Sequence, residues 1–502
     1  MKFGELLKKS GINVTDRGGA ADPVVSDIVY DSRRVKAGSV YVAISGHKAD
    51  GNSFIISAQK AGAVAIISEN CQKVLNDNIP WAVVPCAREA VGILGRTFFD
   101  VDTSEFISAG ITGTNGKTTT AYLFETLFDT LYGKEYSWMF GTVENSFGLN
   151  KISASHTTPE SLDLFRYISQ ADLKPKSVVM EVSSHSLTLK RVAGMNYDLA
   201  VWTNLTQDHL DFHSSMEEYY QAKKLLFTQY VKQNGKGAIN IDDEYGRRLY
   251  RELQSQVSLL SFASLLTYGK SEDAQVRIVD YKCDWDGCSV DISYNGQQFS
   301  FKSTLRGFFN IYNMTALICG GFALNISHNV ISDALAQASA VPGRMDKVDI
   351  NAPFTVVVDY AHTPDALVNI LKTSRDLTQG RLTCVFGCGG DRDKTKRPLM
   401  AKAVAENCDQ TVITSDNPRT EKPRAIIDDI VRAVPLDFPH IVIEDRREAI
   451  KCALQNARSG DCIVIAGKGH ENYQEIFGVR HHFDDKEVVT EIYKEMAANN
   501  AS

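Results

Sequence analysis

The chain has 502 residues, of which 43% are hydrophobic and 23% charged, and its formal net charge is −7. This length predicts two to four domains, and the motifs fit three best. The acidic balance argues against nucleic acid or anionic lipid as a partner, and no apolar run approaches the roughly 18 residues that cross a bilayer.

The first hundred residues alternate short β-prone runs with helix-like stretches. The β-prone runs are Ser39–Ile44, Ala63–Ile67 and Trp81–Val84, and residues 52–62 are helix-like. We therefore expect a small α/β domain over residues 1–104. The amino-terminal residues lack the features of a secretion or transit signal, which predicts a cytoplasmic protein without membrane insertion.

A glycine-rich turn follows the next β-prone run, with the sequence Gly110-Ile-Thr-Gly-Thr-Asn-Gly-Lys-Thr-Thr-Thr120. Glycines let main-chain N–H groups approach an anion, Lys117 adds positive charge, and the Thr118 hydroxyl suits Mg²⁺. The common P-loop spacing needs glycine at position 111, which is Ile111 here, with glycines at 110 and 113 instead. Glycine turns without phosphate are common, but Gly-Lys-Thr-Thr after a strand is much rarer. The sequence thus predicts a variant phosphate-binding loop.

The strands and helices after this loop alternate, which indicates a mainly parallel sheet. Glu181 ends the apolar run Ser177–Glu181, at the edge where such sheets bind ligands, so we expect it to hold a metal ion. On its own, an acid that caps a strand end would be an equally good interpretation.

Residues 203–213 contain two histidines and two aspartates but no suitably spaced cysteine for structural zinc. Each histidine alone is more often a structural residue, although His209 beside phosphate oxygens would suit Mg²⁺. Ser214-Ser-Met-Glu217 predicts a capping box for the next helix. That helix carries Lys223 and Lys224, which cannot face the same way, and spacing alone predicts that both lie on the surface.

Residues 276–305 alternate with period two and contain the turns Asp286-Gly and Asn295-Gly, which predicts antiparallel strands appended to a central domain over residues 105–345. Val341–Met345 has the composition of a hinge, with Gly343 as its candidate pivot. The ten cysteines show no C-x-x-C spacing, so we expect reduced, mostly buried thiols.

The apolar runs of residues 346–502 predict a Rossmann-like domain, in which charged turns follow successive strands. A dinucleotide fingerprint would need glycine at position 392, which is Arg392, so hydride transfer is disfavoured. Arginine suits a carboxylate, whereas Asp416 and Glu471 suit ammonium groups, so the turns together would fit a zwitterion. A single turn of this kind is often only a polar surface loop.

Several separated motifs resemble the Mur ligase superfamily and follow its order: Gly113–Thr119, Met180–His185, Asp208–Asp211, Ala222-Lys223, Asn310 with Asn313, Gly343–Met345 and Asp359–His362. Three more resemble its MurE branch: Tyr30–Arg33, Gly46–Gly51 and Asp416–Arg419. The resemblance covers nearly the whole chain. It implies an α/β fold of three domains, namely a UDP-binding domain, a central P-loop ATPase domain with a small antiparallel appendage, and a Rossmann-like domain that binds an amino acid.

The resemblance also implies site residues. ATP would be bound by Gly113, Thr114, Asn115, Gly116, Lys117, Thr118, Thr119, Asn310, Arg344 and Asp359. The UDP-linked substrate would be bound by Ser32, His47, Thr157, Thr158, Ser184 and Arg191. The incoming amino acid would be bound by Arg392, Asn417, Arg419, Gly467 and Glu471, with Asp416 supporting their loop. Mg²⁺ would be held by Thr118, Glu181, His209 and Lys223, the last as a carbamate made from CO₂. The catalytic set would be Lys117, Glu181, His209 and Lys223.

The reaction implied by the resemblance joins meso-diaminopimelate to UDP-N-acetylmuramoyl-L-alanyl-D-glutamate through an acyl phosphate, with ATP as the activating substrate and closure of the domains over the intermediate. Arg419 favours diaminopimelate over lysine, because an arginine fork can pair with the second carboxylate. A lysine-adding ligase, another Mur or folylpolyglutamate-type ligase, a small-molecule P-loop kinase and a silent UDP-sugar binder are the alternatives. We expect a monomer.

Overall fold

The computed structural model describes residues 1–46, 49–70, 79–154, 156–210, 212–255 and 262–501, with side chains described up to residue 498. The chain divides into two compact units. The first comprises Met1–Val279, Ile292–Phe299 and Asn313–Leu335, and the second comprises Asp280–Asp291, Ser300–Tyr312 and Ala336–Ser502. The domain ranges 1–104, 105–345 and 346–502 stay predictions.

The amino-terminal part of the first unit contains a five-stranded sheet of order β1-β5-β4-β3-β2, parallel except for β1. The strands are β1 Asp16–Gly18, β2 Asp27–Val29, β3 Ser39–Ala43, β4 Ala65–Ser68 and β5 Trp81–Val83. The helices are α1 Phe3–Ser10, α2 Ile55–Lys60 and α3 Ala87–Phe98. Every residue of β3 and β4 is buried, as expected for parallel strands covered on both faces.

An eleven-stranded sheet follows, of order β16-β15-β14-β13-β12-β11-β6-β10-β7-β8-β9. Its strands are β6 Ile107–Thr112, β7 Ser137–Phe140, β8 Glu144–Phe147, β9 Asn150–Ser153, β10 Ser177–Glu181, β11 Tyr197–Trp202, β12 Val231–Asn240, β13 Ser264–Gly269, β14 Val276–Asp284, β15 Gly287–Tyr294 and β16 Gln297–Ser303. The helices around it are α4 Lys117–Tyr132, α5 Ser161–Gln170, α6 Ser184–Thr188, α7 Met216–Gln229, α8 Glu244–Ser255, α9 Phe308–Ala323 and α10 His328–Gln337. Across the sheet, the strands β7, β10, β6, β11, β12, β13 and β14 are neighbours in this order and have the expected parallel arrangement. Beyond β7, the strands β8 and β9 form an antiparallel edge.

The strands β14, β15 and β16 form the predicted appendage, since two-residue turns connect them in sequence and they are neighbours in the sheet. The expectation of reduced thiols is wrong for one pair there, because Cys283 and Cys288 form a disulfide. The two residues flank the turn between β14 and β15, which brings their Cα atoms within 4.2 Å. A search for C-x-x-C spacing could not find this pair.

The six-stranded sheet of the second unit has the order β17-β18-β22-β19-β20-β21 and is parallel except for β17. Its strands are β17 Asp346–Lys347, β18 Thr355–Asp359, β19 Leu382–Phe386, β20 Gln410–Ile413, β21 His440–Val442 and β22 Cys462–Ala466, and a separate hairpin consists of β23 Tyr473–Ile476 and β24 Val479–His482. The helices are α11 Pro364–Leu377, α12 Lys396–Asn407, α13 Pro423–Val431, α14 Arg446–Asn456 and α15 Asp485–Ala501. Alternate residues of β18 enter separate hydrophobic clusters, so both faces of the sheet are buried.

Gly343 lies inside the second unit and is fixed there by close packing. Its φ is +69°, and a Cβ added to it would lie 2.2 Å from the main-chain nitrogen of His470. Its carbonyl accepts a hydrogen bond from the Tyr360 N–H at 2.8 Å. A bend at Gly343 would have to break these contacts, which does not support the hinge predicted for it.

Among the described residues, none of the helices combines the length and the apolar composition that crossing a bilayer would take.

Candidate active site

The glycine-rich loop of the first unit connects β6 to α4, as predicted, and the segment after β11 holds its shape. Asn204 accepts from the Thr114 N–H through its carbonyl at 2.8 Å and from the Asn115 N–H through Oδ1 at 2.9 Å. The Thr203 hydroxyl donates to the Asn115 carbonyl at 2.7 Å. The loop is therefore pre-formed, and the first N–H groups of α4 make its end a favourable place for an anion.

Two glycines of the loop have conformations and surroundings that exclude a side chain. Gly113 has φ +149°, and an added Cβ would lie 1.9 Å from the Thr203 hydroxyl oxygen. Gly116 caps α4 with φ +84°, and an added Cβ would lie 2.4 Å from Asn313 Oδ1. Glycine at 111 is not needed, because Ile111 still belongs to β6 and is buried in the sheet.

Lys117 and Lys223 meet at the same carbonyl oxygen. Lys117 Nζ donates to the carbonyls of Gly113 at 3.0 Å and Thr114 at 2.8 Å, and Lys223 Nζ donates to Gly113 at 2.7 Å. Lys223 is 1% exposed. Burial, and next the charge of Lys117, hold the pKa of Lys223 well below its usual value. The prediction of a surface position is wrong for Lys223, while Lys224 points elsewhere and pairs with Glu252 at 2.8 Å.

Glu181 is fully buried at the end of β10, and the register of the sheet places it beside Ile111, close to the end of β6. Its carboxylate accepts from the Thr118 hydroxyl at 3.0 Å. It also accepts from the Thr142 N–H at 2.7 Å and from the Thr142 hydroxyl at 3.1 Å. The structure thus joins two of the predicted metal ligands, Thr118 and Glu181, in one hydrogen-bonded group.

Tyr219 connects His209 with the loop. Its hydroxyl lies 3.1 Å from Thr114 Oγ1, Lys223 Nζ lies 4.7 Å above its ring, and its ring centre is 6.0 Å from that of His209. His209 itself has φ +54° and an imidazole Nε2 that lies 3.6 Å from Asp208 Oδ2. Asp211, which the resemblance includes in the same motif, lies outside the described residues.

The predicted metal site depends on oxygen donors. Among the described residues, no group of three or more His, Cys, Asp and Glu side chains could hold a metal ion. The predicted set contains two such residues, Glu181 and His209, and needs Thr118 and a modified Lys223 in addition. A hard cation such as Mg²⁺ prefers oxygen, so a buried carboxylate next to a hydroxyl fits it, and a carbamate at Lys223 would add a third oxygen ligand.

The residues predicted to hold the UDP-linked substrate lie in the first unit. Thr158 is buried and donates to the Glu181 carbonyl at 2.7 Å, and Thr157 lies 3.2 Å from the Thr142 hydroxyl that also reaches Glu181. Ser184 begins α6 and lies 2.9 Å from Nε2 of the buried His213. Thr157 and Thr158 are therefore connected to the Glu181 group, whereas the described partner of Ser184 is His213.

Two further substrate residues lie nearer the five-stranded sheet. Arg191 Nε lies 3.4 Å from Glu160, which also pairs with Arg88. Ser32 begins a 3₁₀ turn capped by Asp31, which accepts from the Arg33 N–H at 3.0 Å. His47 lies outside the described residues.

Two residues predicted to contact ATP in the second unit, Arg344 and Asp359, lie at or near the end of β18. Asp359 accepts from the Met345 N–H at 2.7 Å and from the Ala361 N–H at 2.8 Å, and burial raises the pKa of its carboxyl. The Arg344 guanidinium lies 5.3 Å from the centre of the Tyr360 ring. Asn310, near the start of α9, is buried and donates to the Arg306 carbonyl at 2.7 Å.

The turns after β20 and β22 converge, as the recurrence of charged strand ends predicts. Asn417 Nδ2 donates to Glu471 Oε2 at 2.8 Å. Gly467 has φ +117°, and a Cβ added to it would lie 2.9 Å from Asp416 Oδ2. Burial raises the pKa of the Glu471 carboxyl, and Asp416 adds to this effect. A group of acids and amides thus lies at one edge of the sheet.

Arginines border this group. Arg419 has φ +51°, and its Nη1 donates to the Gly390 carbonyl at 2.7 Å. Its main chain pairs with the β23–β24 hairpin, donating to the Glu475 carbonyl at 3.0 Å and accepting from the Phe477 N–H at 2.6 Å. Arg392 is exposed in the turn after β19. The structure therefore fixes the main chain of Arg419 and leaves Arg392 at the surface.

Sequence reasoning did not include Lys468 among the site residues, although it lies inside the turn Gly467–Glu471. Its side chain is fully buried, and Nζ lies 3.3 Å from Asp416 Oδ1. The sequence shows only a lysine between two glycines, after a predicted strand and before Glu471. Nothing in this spacing predicts that the lysine is buried.

Comparisons with known proteins agree with this architecture. Three family models match successive parts of the chain: "Mur ligase family, catalytic domain" over residues 24–102, "Mur ligase middle domain" over 111–320 and "Mur ligase, glutamate ligase domain" over 343–469. A protein of Solibacter usitatus is 42% identical over 98% of this chain and 98% of its own length. The chain belongs to the Mur ligase family.

Two relatives of this Mur ligase and one solved structure share a description. The Solibacter usitatus protein and one from Aquifex aeolicus, which is 39% identical over 93% of both chains, are named UDP-N-acetylmuramoyl-L-alanyl-D-glutamate–2,6-diaminopimelate ligase. A solved structure with the same name is 33% identical, covers 99% of both chains and has a TM-score of 0.72. MurF from Acinetobacter baumannii, at 15% identity and a TM-score of 0.63, shares the three-domain fold.

Proposed function

We propose that this Mur ligase joins meso-diaminopimelate to UDP-N-acetylmuramoyl-L-alanyl-D-glutamate, with ATP hydrolysed to ADP and phosphate. The observation that carries the choice of amino acid is the arrangement around Arg419. A guanidinium, an amide and a carboxylate occur there in the turns after β20 and β22, and relatives of the chain bear the name of the diaminopimelate-adding enzyme. The site has groups for both carboxylate and ammonium ends of an amino acid.

The reaction has two steps. First, the D-glutamyl γ-carboxylate forms a bond to the γ-phosphorus of ATP, the bond from that phosphorus to the β,γ-bridging oxygen breaks, and ADP leaves. Second, the amine of diaminopimelate attacks the acyl carbon, the bond to the phosphate oxygen breaks, and phosphate leaves while the nitrogen loses a proton. Activation is needed because a free carboxylate is a poor acyl donor.

The loop residues stabilise charge in the first step. The N–H groups at the start of α4 and the ammonium of Lys117 would neutralise the charge of the transferring phosphoryl group. Thr118, Glu181, His209 and Lys223 would hold Mg²⁺, which would polarise the phosphate oxygens when bound. Buried oxygen donors at Thr118 and Glu181 support this part of the proposal.

Lys223 is the residue proposed to carry a carbamate. The reaction joins the neutral amine to CO₂ and releases one proton, so it requires an amine that is not protonated. Burial and the charge of Lys117 favour that neutral form, because both lower the pKa of Lys223. The modification would replace an ammonium, which cannot bind a cation, with an anionic oxygen donor.

We assign Asn310, Arg344 and Asp359 to ATP, and Ser32, Thr157, Thr158, Ser184 and Arg191 to the UDP-linked substrate. The absence of a membrane-crossing helix among the described residues and the use of ATP support action in the cytoplasm. We also propose a monomer, whose mass by sedimentation should equal that of one 55.5 kDa chain.

Phosphate release tests the proposal. We expect release from ATP that requires both the UDP-linked dipeptide and diaminopimelate, together with a tripeptide product seen by mass spectrometry. Borohydride should trap the acyl phosphate when diaminopimelate is left out. Stable phosphorylation of an acceptor would indicate a kinase instead, and a product containing lysine in preference to diaminopimelate would indicate the lysine-adding activity.

A further inference from the structure

Lys468 has a fully buried side chain next to residues of the second unit that we propose to bind the amino acid. Its Nζ donates to Asn417 Oδ1 at 3.1 Å and to the Tyr473 carbonyl at 2.7 Å. It also forms an ion pair with Asp416 Oδ1 at 3.3 Å. The contacts with Asn417 and Tyr473 are hydrogen bonds, whereas the contact with Asp416 Oδ1 is an ion pair without hydrogen-bond geometry. A buried cation with such partners connects three pieces of chain.

The first consequence concerns the orientation of the Asn417 side chain. Its Oδ1 accepts from Lys468 and also from the Glu475 N–H at 2.9 Å. Both bonds need the oxygen on that side, so Nδ2 must face the other way, where it donates to Glu471 Oε2. Without Lys468, one of the two bonds that distinguish the oxygen from the nitrogen is lost.

The second consequence concerns Arg419. Lys468 holds Tyr473, the first residue of the β23–β24 hairpin, and the same hairpin pairs with the main chain of Arg419 through Glu475 and Phe477. The turn Asp416–Arg419 is thus attached to the hairpin through Asn417, through Arg419 and through the Asp416 carbonyl, which accepts from Gln474 Nε2 at 2.7 Å. The Lys468 ammonium provides a further link, because it donates both to Asn417 of the turn and to Tyr473 of the hairpin.

The third consequence concerns charge. Burial raises the pKa of the Glu471 carboxyl, and the nearby negative charge of Asp416 raises it further. Lys468 offsets the charge of Asp416 through their ion pair. Glu471 can then remain available for the ammonium group of an amino acid.

We infer that Lys468 is a positioning residue for the incoming amino acid: it clamps the turn Asp416–Arg419 to the β23–β24 hairpin and so sets the orientation of Asn417 and Arg419 without contacting the substrate. The inference rests on the proposed function. It predicts an effect confined to diaminopimelate, because the groups assigned to ATP and to the UDP-linked substrate make no described contact with Lys468.

The test compares Lys468→Met, which removes the charge and keeps the length, with Lys468→Arg, which keeps the charge in a planar group that cannot reproduce three tetrahedral donors. Lys402→Met is the matched control, since that lysine lies on α12 with its side chain 68% exposed. Phosphate release is measured while each of the three substrates is varied. We expect KM for diaminopimelate to rise at least 20-fold in Lys468→Met and about fivefold in Lys468→Arg, with KM for ATP changed less than twofold and the control unchanged.

An unchanged KM for diaminopimelate in Lys468→Met would overturn the inference. Equal losses for all three substrates would also overturn it, because they would indicate a general structural role. If Lys468→Met does not fold, Lys468→Arg decides on the same criteria. Failure of the proposed function looks different, since the unaltered chain would then release no phosphate in response to diaminopimelate, and the inference would fall with it.

Discussion

Replacement of Arg419 by alanine should weaken diaminopimelate binding and leave ATP binding intact. The described bond from Nη1 to the Gly390 carbonyl uses one of the five N–H donors of the guanidinium, so others can reach a carboxylate. The main chain at Arg419 should keep its place, because it is bonded to Glu475 and Phe477 through backbone atoms alone. Alanine adds no new strain at φ +51°, since arginine already has a Cβ there.

The size of the effect follows from the bonds lost. A hydrogen bond to a charged group contributes about 1.5–3 kcal/mol. Since about 1.4 kcal/mol corresponds to a factor of ten, KM for diaminopimelate should rise about 10- to 150-fold. The KM of Arg419→Lys for diaminopimelate should lie between those of the unaltered protein and Arg419→Ala, because lysine keeps the charge and loses the bidentate geometry.

Phosphate release at varied diaminopimelate and saturating ATP measures this effect, and varied ATP at saturating diaminopimelate provides the comparison. Arg424→Ala is the matched control, because that arginine is 66% exposed on α13 and pairs within its own helix. An unchanged KM for diaminopimelate in Arg419→Ala would refute the assignment of the second carboxylate to this residue. It would also remove the reason for preferring diaminopimelate to lysine.

Three further predictions concern the first unit. Gly116→Ala should raise KM for ATP at least tenfold because its Cβ would meet Asn313, whereas Gly296→Ala, also at positive φ but with open space around it, should leave KM unchanged. Glu125→Gln should remove a pH dependence of stability, because burial raises the pKa of Glu125 from 4.5 to about 7. The native chain therefore loses about 3 kcal/mol of stability as the pH rises through that window. In the variant, the denaturation midpoints measured at pH 5 and pH 8 should converge. Lys223→Met should abolish ligation and the carbamate signal in ¹³CO₂ NMR. Because the pKa of Lys223 is lowered in the folded protein, the unaltered protein in CO₂-free buffer should gain stability as the pH rises in the alkaline range. A Lys223→Met variant that keeps this gain would contradict the assignment.

The strands could be predicted because their sequences either alternate between hydrophobic and polar residues or consist of continuous hydrophobic runs. Glu181 illustrates this, since the end of an apolar run predicted both its strand position and its place at the ligand edge. The helix start after Ser214 was predicted one residue too early. Ser215 is the N-cap and accepts from the Glu218 N–H, while Glu218 reaches back to Ser214. Two adjacent serines followed by two glutamates fit either register, and only the packing of α7 chooses between them.

Residues whose role depends on burial could not be predicted from spacing. Lys223 and Lys224 are neighbours with the same side chain, and the resemblance alone distinguished them. Lys468 shows the same limit, because its partners Asp416, Asn417 and Tyr473 are distant in sequence or belong to another element. Long-range contacts of this kind require the assembled sheet.

The shared acceptor at Gly113 has a consequence for how Lys117 variants are interpreted. The charge of Lys117 helps to lower the pKa of its neighbour Lys223, so removing Lys117 should weaken two proposed functions, the neutralisation of phosphate charge and the uptake of CO₂ by Lys223. A kinetic defect in such a variant therefore combines both losses. Added bicarbonate would restore only the second, and the part of the defect that remains would measure what the cation contributes to the nucleotide.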